Sequence, residues 1–200
     1  MHPDGSVVVL ATHEQDLGGN DATVYLGCRF PARSTYAPTL AHYAAAIGDE
    51  LVSRGVVGRA GIDFVAARTS SGWNIAAIEI NLRKGGTTHP FTALRHLTGG
   101  RYDALTGEWL LPDGSNRVYL ASDNFLEPTW QTLSEQGAVV AIEQAGLSFD
   151  PNAKVGVVLH MLSCLPIDGR CGIIAIAKDA ESAEALRTRA GEALSSAAPA

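Results

Sequence analysis

The chain has 200 residues, of which 46% are hydrophobic and 18% are charged, and its formal net charge at pH 7 is −6. This composition is typical of a well-packed soluble protein. An acidic chain without a basic face is not expected to bind nucleic acid. No apolar run approaches the roughly 20 residues of a membrane helix, and residues 1–5 do not resemble the start of a signal peptide. We therefore expect a cytoplasmic protein with neither a nucleic-acid nor a membrane partner.

The first half of the sequence predicts an α+β domain over residues 1–98. Alternating and apolar patterns predict strands at 6–12, 23–30, 60–68 and 73–83. Helices are predicted at 38–54, ending at Gly55, and at 90–98, and a loop is predicted at 13–22. These elements indicate an antiparallel sheet with covering helices.

The second half predicts a linker or loop region at 99–117, containing a short hairpin, followed by a small α/β domain at 118–200. The elements of that domain are a strand at 118–122, helical segments near 128–146, strands at 154–163 and 170–178, and a helix at 179–195. The three cysteines Cys28, Cys164 and Cys171 form no Cys-x-x-Cys pair, so reduced cysteines are favoured over a disulfide framework or a zinc site.

The strands at 60–68 and 73–83 are predicted to pair as a hairpin with polar side chains on one face. Alternation places on that face Trp73, Ile75, Ala77, Glu79, Asn81 and Arg83. A turn through residues 70–72 pairs Thr69 with Trp73 and sets Asp63 opposite Glu79, whereas a two- or four-residue turn puts Asp63 on the other face. Two carboxylates at roughly 5 Å must share a proton, shift a pKa or hold a cation.

The cation interpretation is favoured by the surrounding residues. Asp63, Glu79 and Asn81 form an all-oxygen set, which suits Mg²⁺ or Mn²⁺ better than zinc. Arg83 indicates an anion beside the metal. The alternative is a solvated hairpin with ordinary surface charges.

The segment that follows the hairpin favours an anion site. The paired glycines Gly85 and Gly86 allow backbone N–H groups to converge on an anion. Pro90 at the first helical position, with Thr88 or His89 as the cap, begins a helix whose positive end points back toward this turn. The alternative, a flexible basic turn, explains the glycines but not their position directly after Glu79–Arg83.

These motifs together resemble the ATP-grasp superfamily, whose members join a carboxylate to an amine through an acyl phosphate. Asp63, followed by Glu79-Ile-Asn81-Leu-Arg83 and a glycine-rich turn, is similar to the metal-binding end of that fold. The string 79–90 resembles the peptide ligases related to the pheganomycin-forming enzyme. Segments 11–15, 25–32 and 156–161 share this resemblance, which therefore extends along most of the chain.

The resemblance implies a role for each motif residue. Asp63, Glu79 and Asn81 would bind the Mg²⁺ (or Mn²⁺) ions that bridge the phosphates of ATP, and Arg83 would stabilise charge on the transferred phosphoryl group or the acyl phosphate. The residues implied to contact the nucleotide are Lys84, Gly85, Gly86 and Thr87. The implied substrates are a small-molecule or peptide carboxylate and an amine.

Several histidines and one glutamine are further candidates. His13 and Gln15 follow the end of a predicted strand, where ligand contacts are common, and His89 lies beside the glycine-rich turn, so all three are candidate substrate contacts. His160 lies in an apolar run and is interpreted either as a satisfied core histidine or as a catalytic base.

Residues 1–60 contain no lysine and do not resemble the ATP-grasp lobe that carries the phosphate-binding lysine. We therefore expect the chain to be the C-terminal part of a ligase, completed by an N-terminal lobe or a companion subunit. One alternative is a non-catalytic or partner-dependent ATP-grasp-like ligand-binding domain. Another is a hydrolase in which the metal held by Asp63, Glu79 and Asn81 activates water.

Overall fold

The computed structural model describes residues 1–21 and 24–198, so Ala22 and Thr23, at the junction of the predicted loop and strand, and residues 199–200 of the predicted C-terminal domain lie outside the described residues. The strands are β1 (Glu14–Gly18), β2 (Val24–Phe30), β3 (Gly61–Thr69), β4 (Gly72–Asn81), β5 (Arg101–Asp103), β6 (Glu108–Leu110), β7 (Val118–Leu126), β8 (Gly156–His160) and β9 (Arg170–Ala177). The helices are α1 (Ala37–Ser53), α2 (Thr88–Thr98), α3 (Glu135–Gln144), α4 (Leu165–Asp168) and α5 (Ala180–Ala197), with short 3₁₀ turns at Pro128–Thr132 and Leu162–Cys164.

A five-stranded antiparallel sheet of order β1-β2-β7-β9-β8 forms the centre of the fold, and β3–β4 and β5–β6 form two separate hairpins. This architecture confirms the predicted α+β class with an antiparallel sheet and covering helices. The sheet joins strands from both sides of the predicted linker at 99–117, since Arg29 of β2 pairs with Leu120 of β7. The division into domains at 1–98 and 118–200 stays a prediction.

The two faces of the central sheet belong to different cores. On the face that we call the α2 face, Phe30 and Tyr119 pack against Phe91 of α2. On the opposite face, here called the α5 face, Ile173 packs in a cluster that includes Leu194 of α5 and residues of α3. Strand alternation therefore sorts the sheet residues into two layers. No helix within the described ranges is long and apolar enough to cross a membrane.

The N-terminal segment differs from the prediction. Residues 6–12 form no strand, and β1 lies at Glu14–Gly18, inside the predicted loop 13–22. The apolar side chains of this segment pack against other elements, although the segment does not pair as a strand. Val7 lies against Gly48 of α1, and Leu10 packs against the core of the α2 face. The other predicted helices and strands are found with shifts at their ends. Cys28, Cys164 and Cys171 are free thiols, as expected.

The β3–β4 hairpin contains a bulge that determines which side chains face each other. Its turn consists of Ser70 and Ser71, and Thr69 pairs with Gly72, so the predicted pairing of Thr69 with Trp73 is wrong. The register then shifts between two pairs, Phe64–Ala77 and Asp63–Glu79, which leaves Ile78 as an additional residue on β4. This extra residue restores the predicted pairing of Asp63 with Glu79.

The bulge also changes the faces of β4. Because Asp63 and Phe64 are neighbours on β3, their partners Glu79 and Ala77 lie on opposite faces of the hairpin. The prediction that Trp73 shares a face with Glu79 is therefore wrong. The hairpin residues that pack against the α1 cluster are Phe64, Ala66, Trp73 and Ile75. The two carboxylates lie on the other face.

The packing of the hairpin on α1 is testable through Trp73. Its ring meets Tyr36 edge-on, with the ring centroids 4.8 Å apart. Trp73→Ala removes this contact and should lower the free energy of unfolding by about 2 kcal/mol. Ile78, on the same strand, is 64% exposed, so Ile78→Ala should change it by less than about 0.5 kcal/mol. Urea unfolding measures both variants, and equal losses would contradict the docking of this hairpin on α1.

Candidate functional site

Asp63 and Glu79 lie opposite each other on β3 and β4. Asp63 is half-buried and accepts two hydrogen bonds: Nε2 of Gln15 donates to its Oδ1 at 3.1 Å, and Nδ2 of Asn81 donates to its Oδ2 at 3.4 Å. The Glu79 side chain is exposed and makes no hydrogen bond or ion pair with any residue in 1–21 or 24–198. One member of the pair is therefore held in place by neutral donors, and the other is free to turn toward a ligand.

The donor set fits a hard divalent cation. Within the part of the chain that the structure describes, no three His, Cys, Asp or Glu side chains form a metal site by themselves. The predicted set instead combines two carboxylates with the amide of Asn81, whose oxygen would face Asp63 after a half-turn of the amide. Mg²⁺ is commonly bound through one or two carboxylates and retains several waters. The residues present therefore suit Mg²⁺ or Mn²⁺.

Gln15 connects the hairpin to the central sheet. It pairs with Cys28, whose side chain is buried in the core of the α2 face. Since directly paired residues share a face, Gln15 projects from the α2 face as well. Its hydrogen bond to Asp63 therefore places the carboxylate of the hairpin over that face.

The segment after β4 leads into α2 two residues earlier than predicted. The helix begins at Thr88, with Thr87 at the N-cap, so the predicted caps Thr88 and His89 and the predicted first position of Pro90 are wrong. Proline is nevertheless tolerated there, because the first N–H groups of a helix have no intrahelical partner. Thr88 Oγ1 accepts a hydrogen bond from the backbone N–H of Gly85 at 3.2 Å.

The two glycines of the turn have different surroundings. A Cβ added to Gly86 would lie 2.8 Å from Cε1 of Tyr25, whereas a Cβ on Gly85 would meet nothing within 4 Å. Tyr25 packs against the core of the α2 face. The turn therefore rests on the same face of the sheet that carries Gln15. Arg83 and Lys84 are exposed, and Nη1 of Arg83 donates to the carbonyl of Lys84 at 3.3 Å.

This contact predicts a difference between the two glycines. Gly86→Ala should displace the turn or the Tyr25 ring and lower the free energy of unfolding by about 1–2 kcal/mol. Gly85→Ala should change it by less than about 0.5 kcal/mol. Chemical denaturation gives the energies, and the ring resonances of Tyr25 in NMR spectra report the displacement. A Tyr25 ring that responds equally to both variants would show that Gly86 does not pack on it.

His13 lies in aromatic surroundings. Its Nε2 is 2.7 Å from the hydroxyl of Tyr119, and its ring centroid is 5.2 Å from that of Phe30 and 5.9 Å from that of Tyr119. Burial lowers the pKa of His13 to about 3. The imidazole is therefore neutral at neutral pH, and it packs against the rings of Phe30 and Tyr119. Its predicted contact with a substrate stays a prediction.

The lowered pKa of His13 predicts a loss of stability in acid. Below about pH 6.5 an unfolded histidine takes up a proton, while the folded His13 does not until about pH 3. The unfolded state then binds more protons, so stability falls as the pH falls through this window, by roughly 2 kcal/mol between pH 7 and pH 5. His13→Gln removes this contribution. Urea unfolding at both pH values should show a smaller loss for the variant, and an identical loss would exclude this role of His13.

A pair of histidines lies beside the turn. His89 is on the first turn of α2 and His160 is the last residue of β8, and their ring centroids are 4.5 Å apart. Nε2 of His160 is 3.8 Å from Oδ1 of Asp123. Burial lowers the pKa of His160, and so does His89, while Asp123 acts in the opposite direction.

Sequence reasoning identified both histidines but not their contact, and it missed Asp123. The predicted strand ended at residue 122, whereas β7 continues to Leu126. The available signal was the polar pair Asp123-Asn124 directly before the apolar residues Phe125 and Leu126.

A separate cavity of about 200 Å³ lies on the α5 face. Its charged lining residues are Asp16, Arg29, Glu184 and Arg187. These form two ion pairs with each other, Arg29 with Asp16 and Arg187 with Glu184. The cavity is therefore on the opposite side of the sheet from the hairpin carboxylates, and its charges are already paired.

Comparison with known proteins gives two matches. Residues 137–190, which run from α3 into α5, match the family model described as the PGM1 C-terminal domain. Over 193 residues, or 96% of the chain, the sequence is 35% identical to an L-propargylglycine–L-glutamate ligase of Streptantibioticus cattleyicolor. The chain spans 38% of the length of that ligase. These findings confirm the resemblance of the chain to part of a peptide ligase of the ATP-grasp type.

Proposed function

We propose that this chain is the C-terminal part of an ATP-dependent ligase that joins a carboxylate to an amine. The observation that carries the proposal is the pairing of Asp63 with Glu79 beside a glycine-containing turn that leads into a helix. Similarity to an amino-acid ligase over 96% of the chain supports it. An all-oxygen site next to backbone N–H groups suits a nucleotide with its divalent cation.

In the proposed reaction, a carboxylate oxygen attacks the γ-phosphorus of ATP, ADP leaves and an acyl phosphate forms. The amine then attacks the acyl carbon, phosphate leaves and an amide is made. When bound, Mg²⁺ would supply positive charge that neutralises the phosphates during transfer. Asp63 and Glu79 would hold the cation with the amide oxygen of Asn81.

The residues after β4 have complementary tasks. Arg83 is exposed two residues beyond the end of β4, and its guanidinium would pair with phosphate or acyl phosphate oxygens, for which its planar donors are suited. The backbone N–H groups of Lys84, Gly86 and Thr87 would contact the nucleotide phosphates, and that of Gly85 would do so after exchanging its hydrogen bond to Oγ1 of Thr88 for a phosphate oxygen. The contact of Gly86 with Tyr25 would fix the position of this turn relative to the sheet.

A partner-dependent ligand-binding domain is the second candidate. It is favoured by an apolar strip at the end of the hairpin, where Ile78, Ile80 and Leu82 are 64%, 46% and 57% exposed. Glu79 and Asn81 alternate with these residues along the chain, and Ile80, which pairs with Ile62, lies on the opposite face of the hairpin from them. An exposed apolar surface of this kind suits contact with another protein, which would cover the hairpin on the side opposite the cation ligands.

The proposed function predicts that cation binding depends on the two opposed carboxylates. Asp63→Asn and Glu79→Gln should each weaken binding of Mn²⁺ with a non-hydrolysable ATP analogue at least tenfold, because each removes a ligand charge. Glu108→Gln is the matched control, since Glu108 is an exposed carboxylate on β6. The Mn²⁺ signal in electron paramagnetic resonance measures the affinity. Unchanged affinity in both carboxylate variants would contradict the proposal.

Arg83 is expected to act on the nucleotide and not on the cation. Arg83→Ala should leave binding of Mn²⁺ alone unchanged, weaken binding of Mn²⁺ with the nucleotide analogue, and, in a complete ligase that contains this region, lower turnover in an amide-forming assay by roughly 10²–10³. Its melting temperature should match that of the unmodified protein, since Arg83 is exposed. Turnover near that of the unmodified protein would show that Arg83 is an ordinary surface residue with no role in the reaction.

A further inference from the structure

One buried nitrogen atom on the α2 face has no hydrogen-bond partner among the described residues. Nε2 of His160 is shielded from solvent and forms no hydrogen bond with any of the residues that the structure describes. Oδ1 of Asp123 lies 3.8 Å away, which is beyond hydrogen-bond distance. Buried polar side-chain atoms are in large majority paired. This nitrogen is therefore positioned to accept a hydrogen bond from a ligand.

The neighbouring strand β9 has a glycine where the ring of His160 packs. His160 pairs with Gly172 on β9, and a Cβ at position 172 would lie 2.1 Å from Cε1 of the imidazole. Gly172 does not have a positive φ, so the glycine is required there for space and not for backbone conformation. Any other residue would push the imidazole out of its place.

The surroundings of His160 provide access and charge. The ring of His89, which is an exposed residue on the first turn of α2, contacts the imidazole at a tilt of 56°. Exposed side chains change rotamer within nanoseconds, so His89 can move aside without rearrangement of the fold. The Asp123 side chain is 40% exposed and gives this opening a negative charge.

The histidine pair lies close to the proposed nucleotide contacts. Asp123 interacts electrostatically with Tyr25, and Tyr25 is the residue on which Gly86 packs. The core of the α2 face includes both Tyr25 and Val158, which lies two residues before His160 on β8. His160 and the glycine turn therefore share one face of the sheet.

We infer that His160, His89 and Asp123 form the binding site for the primary amine substrate, and that Nε2 of His160 accepts the proton which that amine must lose. The inference rests on the proposed ligase function. Asp123 attracts the ammonium group, which transfers one proton to Nε2. The lone pair of the amine then forms the C–N bond with the acyl carbon. The C–O bond to phosphate breaks with its electron pair, and the second proton from nitrogen goes to the departing phosphate.

The electrostatics of the cluster keep His160 neutral before the amine binds, although a lowered pKa also makes the imidazole a weaker proton acceptor. Burial keeps the pKa of His160 below its usual range, with a further contribution from His89, whereas Asp123 opposes the shift. A neutral imidazole has the free lone pair that a proton acceptor requires. Asp123 would stabilise the imidazolium once the proton has arrived.

Binding of an amine can be tested on the full chain by NMR with ¹⁵N-labelled histidine. The probe is L-alaninamide, which carries a primary amine, and the matched ligand control is N-acetyl-L-alaninamide, which does not. L-Alaninamide should shift the Nε2 resonance of His160 in a saturable manner, and the acetylated control should not. Asp123→Asn should weaken the response at least fivefold, whereas Asp49→Asn, which changes an exposed carboxylate on α1, should not.

Two results would overturn the inference: an equal response to the acetylated control, or a response unchanged by Asp123→Asn. Gly172→Ala tests the seat of the ring and should abolish the response. Asp123 is partly exposed, so its variant provides the test even if Gly172→Ala does not fold.

Mn²⁺–nucleotide binding that depends on Asp63 and Glu79, found together with no amine response, would reject the amine site alone. An amine response without nucleotide binding would reject the ligase function.

Discussion

The candidate site depends on a single extra residue in β4. With the two-residue turn that the hairpin has, a regular ladder would set Asp63 opposite Ile78 and would turn Glu79 toward the α1 cluster that holds Trp73. Glu79 would then occupy the place opposite Ile62 that Ile80 now takes, on the face that carries the apolar anchor and away from Asp63. The bulge at Ile78 moves Glu79 to the other face. The same strand can therefore anchor the hairpin by its apolar residues and present two carboxylates away from that anchor.

Two contacts fix the polar groups relative to the central sheet. Gln15 on the edge strand β1 holds Asp63 of the hairpin, and Tyr25 on β2 carries Gly86 of the turn. Both side chains project from the α2 face. The core beneath that face, which includes Phe30 and Phe91, therefore supports the hairpin carboxylates, the glycine turn and the histidine pair together. Preorganised polar groups on a rigid support are what the proposed role in phosphoryl transfer would require.

Local patterns in the sequence predicted much of this arrangement, and their failures have physical causes. The pairing of Asp63 with Glu79 was predicted correctly through two errors that cancel, because the turn is one residue shorter than expected and the bulge adds one residue. Alternation alone does not reveal a bulge, so the face of Trp73 was wrong. The apolar run at 6–12 was interpreted as a strand because packing of Val7 on α1 has no local signature. The contact between His89 and His160 joins a helix to a remote strand and could not be read from spacing.

The most direct test of the central claim is anomalous diffraction from crystals of the protein soaked with Mn²⁺ and a non-hydrolysable ATP analogue. The paired carboxylates predict an anomalous peak between Asp63 and Glu79, with metal–oxygen distances of about 2.1 Å, and with the amide of Asn81 turned so that its oxygen faces the ion. The phosphates should lie against the turn at Gly85 and Gly86. A manganese peak elsewhere, with Asp63 still bonded only to Gln15 and Asn81, would contradict the claim.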